Sequence, residues 1–563
     1  MKEKTMVKTM ARTLCRAALL LSLVNAGASD TQTPSRSPEN QIYQFTVTET
    51  FTPKAKPGIG SRTADAYLWI PEKCQRVRGV IILAQNVPEH WLAGHPAIRA
   101  ACADNDLAIL YTCRSFLMLD TYRSYPWQQR NREHGEFVQQ ILESLAKVSG
   151  YEEIATAPWF PMGESMALMV PNALTSAFPE RCIAGIQIKD GKWDELRSET
   201  VPVLVSCGTG SEWDLPKFDI FSRWKQQATA DIQQHCAKRA AAPSWPGSLL
   251  IEAGSAHFSC TERMAECYAH YIRTATKARL SADGSPTLRA IHIEDGYVAG
   301  LPVPGSKPLQ PMRYSECPPE QRNLPWFFDE ASAQAAFEMA NVNWNAQPQL
   351  PAFADASGNP IPFNARGITG PLKWTTAEDG ITFNLGSIFL ETLPDGFVGA
   401  GKSIGHVSAK PILEWLCGPY IPLGNNRFAF AMDRTWNKTD CYVRIWHPGD
   451  GKYRLSTNPG RLDFNPNKEG KPQKISLAAI SDQRTGTKEI QLHAKSDSGM
   501  PVRFFVSAGP ALIHDSRLVF TPIPPRSKLP LTVSVVAWQW GRSSEPQIQT
   551  AEPVEQMFRI VKQ

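Results

Sequence analysis

Short apolar runs alternate with helical stretches over the first half of the chain. The runs are largely apolar throughout, as buried strands of a parallel sheet are, and they cover residues 79–84, 107–111, 183–188, 201–206 and 249–253. Stretches with apolar residues at helical spacing separate several of them, at 90–104, 130–148, 216–238 and 262–278. Alternating strands and helices are typical of an α/β layered domain. The pattern therefore predicts a mostly parallel sheet flanked by helices over residues 65–280.

The pattern differs on both sides of this segment. Residues 29–64 are predicted to form a lead-in and a first strand at 42–47, where apolar and polar residues alternate. The region 285–470 is rich in Pro, Gly, Asn and Trp and is predicted to be β-rich, with one helix at 329–340. Residues 473–563 contain about seven strand-like segments separated by turn signals, which predicts an immunoglobulin-like β-sandwich.

The first 28 residues have the parts of a secretory leader. A basic segment ends at Arg16, an apolar run extends from Ala17 to Val24, and Ala28 ends a small-residue cleavage pattern. The apolar run is shorter than the ~20 residues that span a bilayer, and no later stretch is long and apolar enough. We expect a signal peptide cleaved near Ala28 and export to the periplasm, the cell surface or the medium. The alternative is an uncleaved N-terminal anchor.

Charge and cysteine content narrow the classes of protein further. The formal charge of +5 is concentrated in the leader, where five Lys and Arg side chains face one Glu. The rest is nearly neutral and has no basic run, so we expect no nucleic-acid partner. Eleven of the twelve cysteines follow the leader, and Cys260/Cys267 and Cys417/Cys441 are candidate local pairs. Because no C-x-x-C occurs, the cysteines predict neither a zinc nor a redox motif.

One serine lies in a pattern typical of a catalytic nucleophile. Residues 163–167 read Gly-Glu-Ser-Met-Ala, with small residues two positions before and after Ser165. A serine on a tight strand-to-helix turn needs such neighbours, and a helical apolar pattern begins at Leu168. The five-residue match alone is weak, and a helix start capped by Ser165 is the alternative. Its position between predicted strands, with a carboxylate loop and a histidine following in order, favours a nucleophile.

Acyl transfer by serine also needs a base and a carboxylate that orients the base. His257 follows the last predicted strand on a glycine-bearing loop and precedes a helix, which is where the base is expected. The carboxylate stays open between Glu212 and Asp214, on the loop after strand 201–206, and Asp190, on the loop after the preceding strand.

The developing oxyanion needs hydrogen-bond donors. We expect one donor to be the N–H of Met166, directly after the nucleophile. The other is expected from the loop after strand 79–84, at Gln85 or Asn86.

These segments together resemble the α/β-hydrolase superfamily, and within it the secreted serine esterases. The resemblance rests on residues 80–86, 162–167, 201–214 and 254–258. It implies hydrolysis of a carboxylic ester through an acyl-enzyme on Ser165, without a metal or an organic cofactor. The segment 473–563 resembles the bacterial immunoglobulin-like domains appended to exported proteins.

Three features depart from the family pattern. Glu164 stands before the nucleophile where many relatives have His, and Ala167 replaces the more usual Gly. Pro158 and Pro161 fall in a predicted central strand, where proline is disfavoured, and Pro171 is expected to break or kink the helix that follows.

The expected substrate is a small-molecule or polysaccharide ester. A carbohydrate substrate is suggested by export, by the β-rich regions and by tryptophans whose faces are able to stack on sugar rings, although core packing is their alternative role: Trp326, Trp344, Trp415, Trp436 and Trp446. Two other functions stay open, a serine peptidase on the same triad and a non-catalytic surface or glycan-binding protein with a degenerate hydrolase domain. The oligomeric state does not follow from the sequence.

Overall fold

The fold is known from a computed structural model that describes residues 42–54, 60–114, 126–189, 196–208, 223–252, 254–282, 284–302, 308–342, 344–363, 369–436 and 441–563. The predicted leader lies outside these residues. The first eight strands are β1 Phe45–Phe51, β2 Arg62–Trp69, β3 Gly79–Ala84, β4 Leu107–Arg114, β5 Trp159–Glu164, β6 Gly185–Ile188, β7 Val203–Gly208 and β8 Gly247–Glu252.

These strands form one sheet in the order β1-β2-β4-β3-β5-β6-β7-β8. β2 pairs antiparallel with β1 and with β4, and every pair from β4 across to β8 is parallel. The predicted mostly parallel sheet is therefore confirmed, and it fits the α/β-hydrolase arrangement. The carboxyl ends of β5 and β8 lie at the same edge of the sheet, where reactive residues gather in such folds.

Among the described residues, six α-helices accompany the sheet: α1 Pro88–Gly94, α2 Pro96–Ala103, α3 Trp127–Ser149, α4 Met169–Ala177, α5 Arg223–Ala241 and α6 Glu262–Arg279. The predicted helix at 90–104 is divided between α1 and α2, because His95 is extended and caps the start of α2. The two faces of β3 enter different cores. Ile81 packs in the cluster of α2 and α6, and Ile82 packs in the cluster of α3 and α4.

The part of the middle region that the structure describes contains eleven further strands and one α-helix, α7 Glu330–Val342, where the sequence predicted a helix at 329–340. The strands are β9 Tyr297–Val298, β10 Met312–Arg313, β11 Trp326–Phe327, β12 Pro351–Ala354, β13 Thr382–Asn384, β14 Gly386–Phe389, β15 Ile412–Cys417, β16 Tyr420–Gly424, β17 Arg427–Phe430, β18 Cys441–His447 and β19 Ser456–Leu462. They form small antiparallel sheets, one of which has the order β15-β18-β19. The β-rich prediction for this region is confirmed.

The C-terminal unit contains β20 Ile475–Leu477, β21 Gln483–Arg484, β22 Glu489–Gln491, β23 Ala494–Ser496, β24 Arg503–Ala508, β25 Ala511–His514, β26 Arg517–Phe520, β27 Leu531–Trp538 and β28 Val554–Val561. Its sheets have the orders β20-β23, β21-β28-β27-β24 and β22-β26-β25. The unit is thus built of strands, and its assignment as an immunoglobulin-like sandwich stays a prediction.

The three parts of the chain share their cores. Trp415 and Val443 of the middle region lie in the same apolar cluster as Ile81. Leu518 and Val533 of the C-terminal unit lie in the cluster that contains Phe137 of α3. Because these clusters are continuous, the β-rich regions pack directly on the α/β unit.

The tryptophans considered for sugar stacking are core residues. Trp326, Trp344, Trp415 and Trp446 are buried, and Trp436 packs edge-on against Trp540 with ring centroids 5.7 Å apart. They give no support to a carbohydrate substrate.

The structure also bears on one predicted cysteine pair and on membrane-spanning helices. Cys260 and Cys267, a candidate disulfide pair, are free thiols. Within the described ranges, the helices are too short or too polar to cross a bilayer.

Candidate active site

Ser165 lies on a sharp turn between strand β5 and a helix. β5 ends at Glu164, a 3-10 turn covers Ser165–Leu168, and α4 begins at Met169. Ser165 has a φ of +49°, a left-handed conformation that is uncommon for a residue with a side chain and is often found at functional sites. A Cβ at Gly163 would overlap the carbonyl oxygen of Ala167. The small residue before the serine is therefore required by the turn itself, as the sequence pattern predicted.

The prolines that the sequence placed in this strand and helix are accommodated locally. An isolated bridge pairs Trp159 of β5 with Cys182, which precedes β6, and the ladder between β5 and β6 begins only at Met162 and Ile186. Pro161 falls in this irregular interval, where a residue without an N–H is tolerated.

The predicted break at Pro171 is also resolved by the structure. The elbow forms a separate 3-10 turn, and α4 begins two residues before Pro171. Pro171 thus lies in the first turn of α4, where N–H groups have no partner within the helix.

His257 is in hydrogen-bond contact with Ser165. Its Nε2 lies 2.7 Å from the Ser165 Oγ, although the two residues come from different elements, the loop after β8 and the turn after β5. The His257 side chain is almost fully buried, so bulk water does not replace this contact. This is the geometry that general-base activation of a serine requires.

Glu164, the residue before Ser165, is fully buried and also faces His257. One carboxylate oxygen lies 3.4 Å from the His257 Nε2. The other accepts a hydrogen bond from Asn86 Nδ2 at 2.5 Å. Glu164 therefore contacts His257 and Asn86 in the interior, and its carboxyl group is not exposed at the surface.

A second buried carboxyl group, Glu89 on α1, lies behind the turn. Its Oε1 accepts a hydrogen bond from the backbone N–H of Glu164 at 2.6 Å. Burial raises the pKa of Glu89 to about 8, against the opposing effect of backbone hydrogen bonds. At neutral pH this group is therefore mostly protonated, and it fixes the backbone directly before Ser165 without adding a full charge.

The three predicted oxyanion donors have different environments. Met166 is the second residue of the 3-10 turn, where an N–H has no acceptor within the turn, and the residue is 53% exposed. The N–H of Gln85 donates to the carbonyl of Thr112 at 2.8 Å and so extends the sheet beyond β3. Gln85 would have to break this bond to bind an oxyanion. Asn86 contributes its side-chain amide, which holds Glu164.

The three carboxylates predicted as orienting groups for His257, Glu212, Asp214 and Asp190, lie outside the described residues. The described neighbour of Asp190, Lys189, is fully buried at the end of β6. Its Nζ donates to Ser255 Oγ at 2.5 Å and lies 3.7 Å from a carboxylate oxygen of Glu252. This ion pair fixes the start of the loop that bears His257.

Several residues of the site were not recognised in the sequence. Glu89 and the side chain of Asn86 act through contacts with Glu164, which is 75 and 78 positions away, respectively. Glu89 lies in the first turn of a short helix that begins with Pro88, a placement that suits any acidic residue. Both lie within five positions of the end of β3, so polar residues in the segment that follows a buried strand are the signal that would have indicated them.

The chain matches no family model and no sequence among the curated proteins. Solved structures that it resembles include a cold-adapted esterase from an Arctic intertidal metagenomic library, with 11% identity and a TM-score of 0.27 over 41% of this chain and 93% of that one. An S-formylglutathione hydrolase from Staphylococcus aureus has 11% identity and a TM-score of 0.26 over 41% and 98%. An alpha-beta serine hydrolase homologue from Coxiella burnetii has 12% identity and a TM-score of 0.24 over 40% and 95%. Similarity at this level assigns no function.

Proposed function

We propose that this protein is a serine hydrolase that cleaves carboxylic esters through an acyl-enzyme on Ser165. The observation that carries the proposal is the 2.7 Å contact between His257 Nε2 and Ser165 Oγ. It is supported by the strained backbone of Ser165, which stands at φ +49° on the strand-to-helix turn. A serine that only capped a helix would need neither the strain nor the histidine.

In the first half of the reaction the Ser165 Oγ attacks the ester carbonyl carbon while its proton passes to His257 Nε2. The tetrahedral oxyanion is stabilised by the N–H of Met166 at the helix start. When the C–O bond to the alcohol breaks, His257 Nε2 returns the proton to the leaving oxygen. The alcohol departs, and the acyl group stays on Ser165.

In the second half, water replaces the alcohol. His257 takes a proton from the water, whose oxygen attacks the acyl carbon, and the proton then passes to Ser165 as the carboxylic acid leaves. One ester and one water thus give one acid and one alcohol. A carboxylate, Glu212 first by its position, with Asp214 and Asp190 as the alternatives, is proposed to orient the imidazole through Nδ1.

The preference for esters and the place of action are parts of the same proposal. An ester rather than an amide follows from the resemblance of residues 65–280 to secreted esterases. Export follows from the leader at residues 1–28, with its cleavage pattern ending at Ala28. Four of the five tryptophans are buried and Trp436 packs on Trp540. The main reason to specify a carbohydrate is thereby removed, so the proposed substrate is an acyl ester of unspecified alcohol.

The test compares wild type with Ser165→Ala and His257→Ala, using p-nitrophenyl acetate and butyrate and a fluorophosphonate label. Wild type is expected to turn over and to be labelled at Ser165, and both variants are expected to lose roughly 10³-fold or more in kcat. Ser176→Ala, on the helix α4 that follows the Ser165 turn, and His270→Gln, in a half-exposed pair with Asp329, are matched controls that are expected to keep activity. Absence of both turnover and labelling in wild type overturns the proposal. Cleavage of peptides without cleavage of esters would instead indicate a peptidase.

A further inference from the structure

The loop that bears His257 is bound by a strand from a distant part of the chain. Thr457, near the start of β19, accepts one hydrogen bond from this loop and donates another to it. The Thr457 Oγ1 accepts a hydrogen bond from the Ala256 N–H at 2.6 Å, and the Thr457 N–H donates to the Gly254 carbonyl at 3.2 Å. The residue directly before His257 is thus anchored to the middle β-rich region, 201 positions further along the chain.

The backbones of the loop and the β-rich region meet without intervening side chains. Gly254 has a φ of +91°, and a Cβ there would overlap the carbonyl oxygen of Leu455. Glycine alone satisfies both the left-handed backbone and the close approach. The contact is therefore built into the loop sequence and is not an incidental touch between two surfaces.

Strand β18 holds the other end of the loop. Arg444 Nη1 donates to the Cys260 carbonyl at 2.6 Å, and the guanidinium is buried and paired with Glu414. Between these two anchors, the Phe258 ring packs on Tyr442 with centroids 5.2 Å apart. Three successive contacts along seven residues of loop leave little freedom for the residue in their midst, His257.

The opposite side of the loop is held by the α/β unit itself. Lys189 Nζ donates to Ser255 Oγ at 2.5 Å. Ser255 is thus held by the α/β unit, and the next residue, Ala256, is held by the β-rich region. Ser255 and Thr457 are both buried, which makes the loss of either hydrogen bond costly because water does not replace it.

We propose that Thr457 is a positioning residue for His257, so that the middle β-rich region forms part of the active site. This inference rests on the proposed function, in which His257 is the base. The Thr457 hydroxyl fixes the Ala256 N–H and thereby the distance from His257 Nε2 to Ser165 Oγ. Because a displacement of about 1 Å between reacting groups costs on the order of 10²-fold in rate, the hydroxyl affects turnover without touching substrate.

The experiment replaces Thr457 by Val, which keeps its shape and removes the acceptor, and by Ser, which keeps the hydroxyl. Thr369→Val is the matched control, because Thr369 is buried beside β19 and its hydroxyl has no hydrogen-bond partner in the part of the chain that the structure describes. Each protein is assayed for kcat and KM on p-nitrophenyl butyrate, for the rate of fluorophosphonate labelling at Ser165, and for melting temperature.

Thr457→Val is expected to lower kcat and the labelling rate by roughly 10- to 100-fold with little change in KM, while Thr457→Ser stays within about threefold of wild type. Thr369→Val is expected to match wild type in rate.

Equal rates for wild type and Thr457→Val, or equal losses in Thr457→Val and Thr457→Ser, overturn the inference and leave the proposed function intact. If Thr457→Val does not fold, Thr457→Ala removes the same acceptor and answers the same question. A wild-type protein that is neither active nor labelled overturns the proposed function itself.

Discussion

Asn86 holds Glu164 at two atoms. Its Nδ2 donates to the Glu164 backbone carbonyl at 2.8 Å and to a carboxylate oxygen at 2.5 Å. The other carboxyl oxygen lies 3.4 Å from His257 Nε2, so Asn86 fixes a fully buried carboxyl group beside the nitrogen that takes the proton from Ser165. In its ionised form this group favours the imidazolium that forms during acylation and disfavours the oxyanion that forms with it.

We expect the effect on the imidazolium to prevail, because the carboxylate is in near contact with Nε2 and interactions of buried charges weaken with distance. Glu164→Gln should therefore slow fluorophosphonate labelling of Ser165 and lower kcat by about 10-fold. Glu262→Gln is the control, since it changes a carboxylate that contacts a different histidine, His95, at 3.0 Å. A faster reaction in Glu164→Gln would show that repulsion of the oxyanion is the larger effect.

Asn86 should act on the reaction through Glu164. Asn86→Leu removes both hydrogen bonds and is expected to lower kcat by about 10-fold, because the released carboxylate changes its position against His257. In a double-mutant cycle, adding Asn86→Leu to Glu164→Gln should cost much less than Asn86→Leu alone. Additive losses would mean that Asn86 acts on the reaction independently, for instance as an oxyanion donor.

The turn at Ser165 should not tolerate a side chain at position 163. Gly163→Ala places a methyl group on the carbonyl oxygen of Ala167, so we expect a loss of roughly 1–3 kcal/mol in stability and an activity loss of roughly 100-fold or more from displacement of Ser165. Ala167→Gly removes a methyl group from the same contact and should cost far less. The checks are melting temperature and kcat, and equal behaviour of the two variants would contradict the steric explanation.

The strands and helices of the α/β unit could be predicted because each is determined largely by the residues within it. The run at 79–84 coincides with strand β3, since a fully buried strand must be apolar on both faces. Ser165 and His257 were found from their places after predicted strands, and the structure brings their side chains together at 2.7 Å.

What the sequence did not indicate depends on contacts between distant residues. Nothing near Thr457 marks it as a neighbour of His257, because the contact arises only when β19 packs on the loop after β8. Gln85 stood in the expected position for an oxyanion donor, but the sheet extends one residue beyond β3 and uses its N–H. Pro161 appeared unfavourable in a central strand because the irregular pairing of β5 with β6 that accommodates it is not visible in composition.

The carboxylate that orients His257 can be identified by substitution. We expect one of Glu212→Gln, Asp214→Asn and Asp190→Asn to lower kcat by roughly 10³- to 10⁴-fold, since an unoriented imidazole adopts the wrong tautomer or position. The other two variants serve as its controls and should change kcat by less than about 10-fold. Glu212 is expected to be the sensitive position. Three small effects would mean that another group orients His257.

Glu89 should make the free energy of unfolding decrease as the pH rises. Burial raises its pKa from 4.5 to about 8, so the native state keeps a proton that the unfolded chain releases above about pH 4.5. The stabilisation due to this proton is fully present below pH 4.5 and is lost as the pH rises through 8. Because one pKa unit corresponds to about 1.4 kcal/mol, we expect Glu89 to account for roughly 2–4 kcal/mol of lost stability between pH 5 and pH 8.5.

Glu89→Gln, which mimics the protonated group, should lack this decline in urea unfolding, whereas Glu316→Gln, at an exposed position, should keep it. Parallel pH profiles for wild type and Glu89→Gln would show that the carboxyl of Glu89 is ionised in the native state.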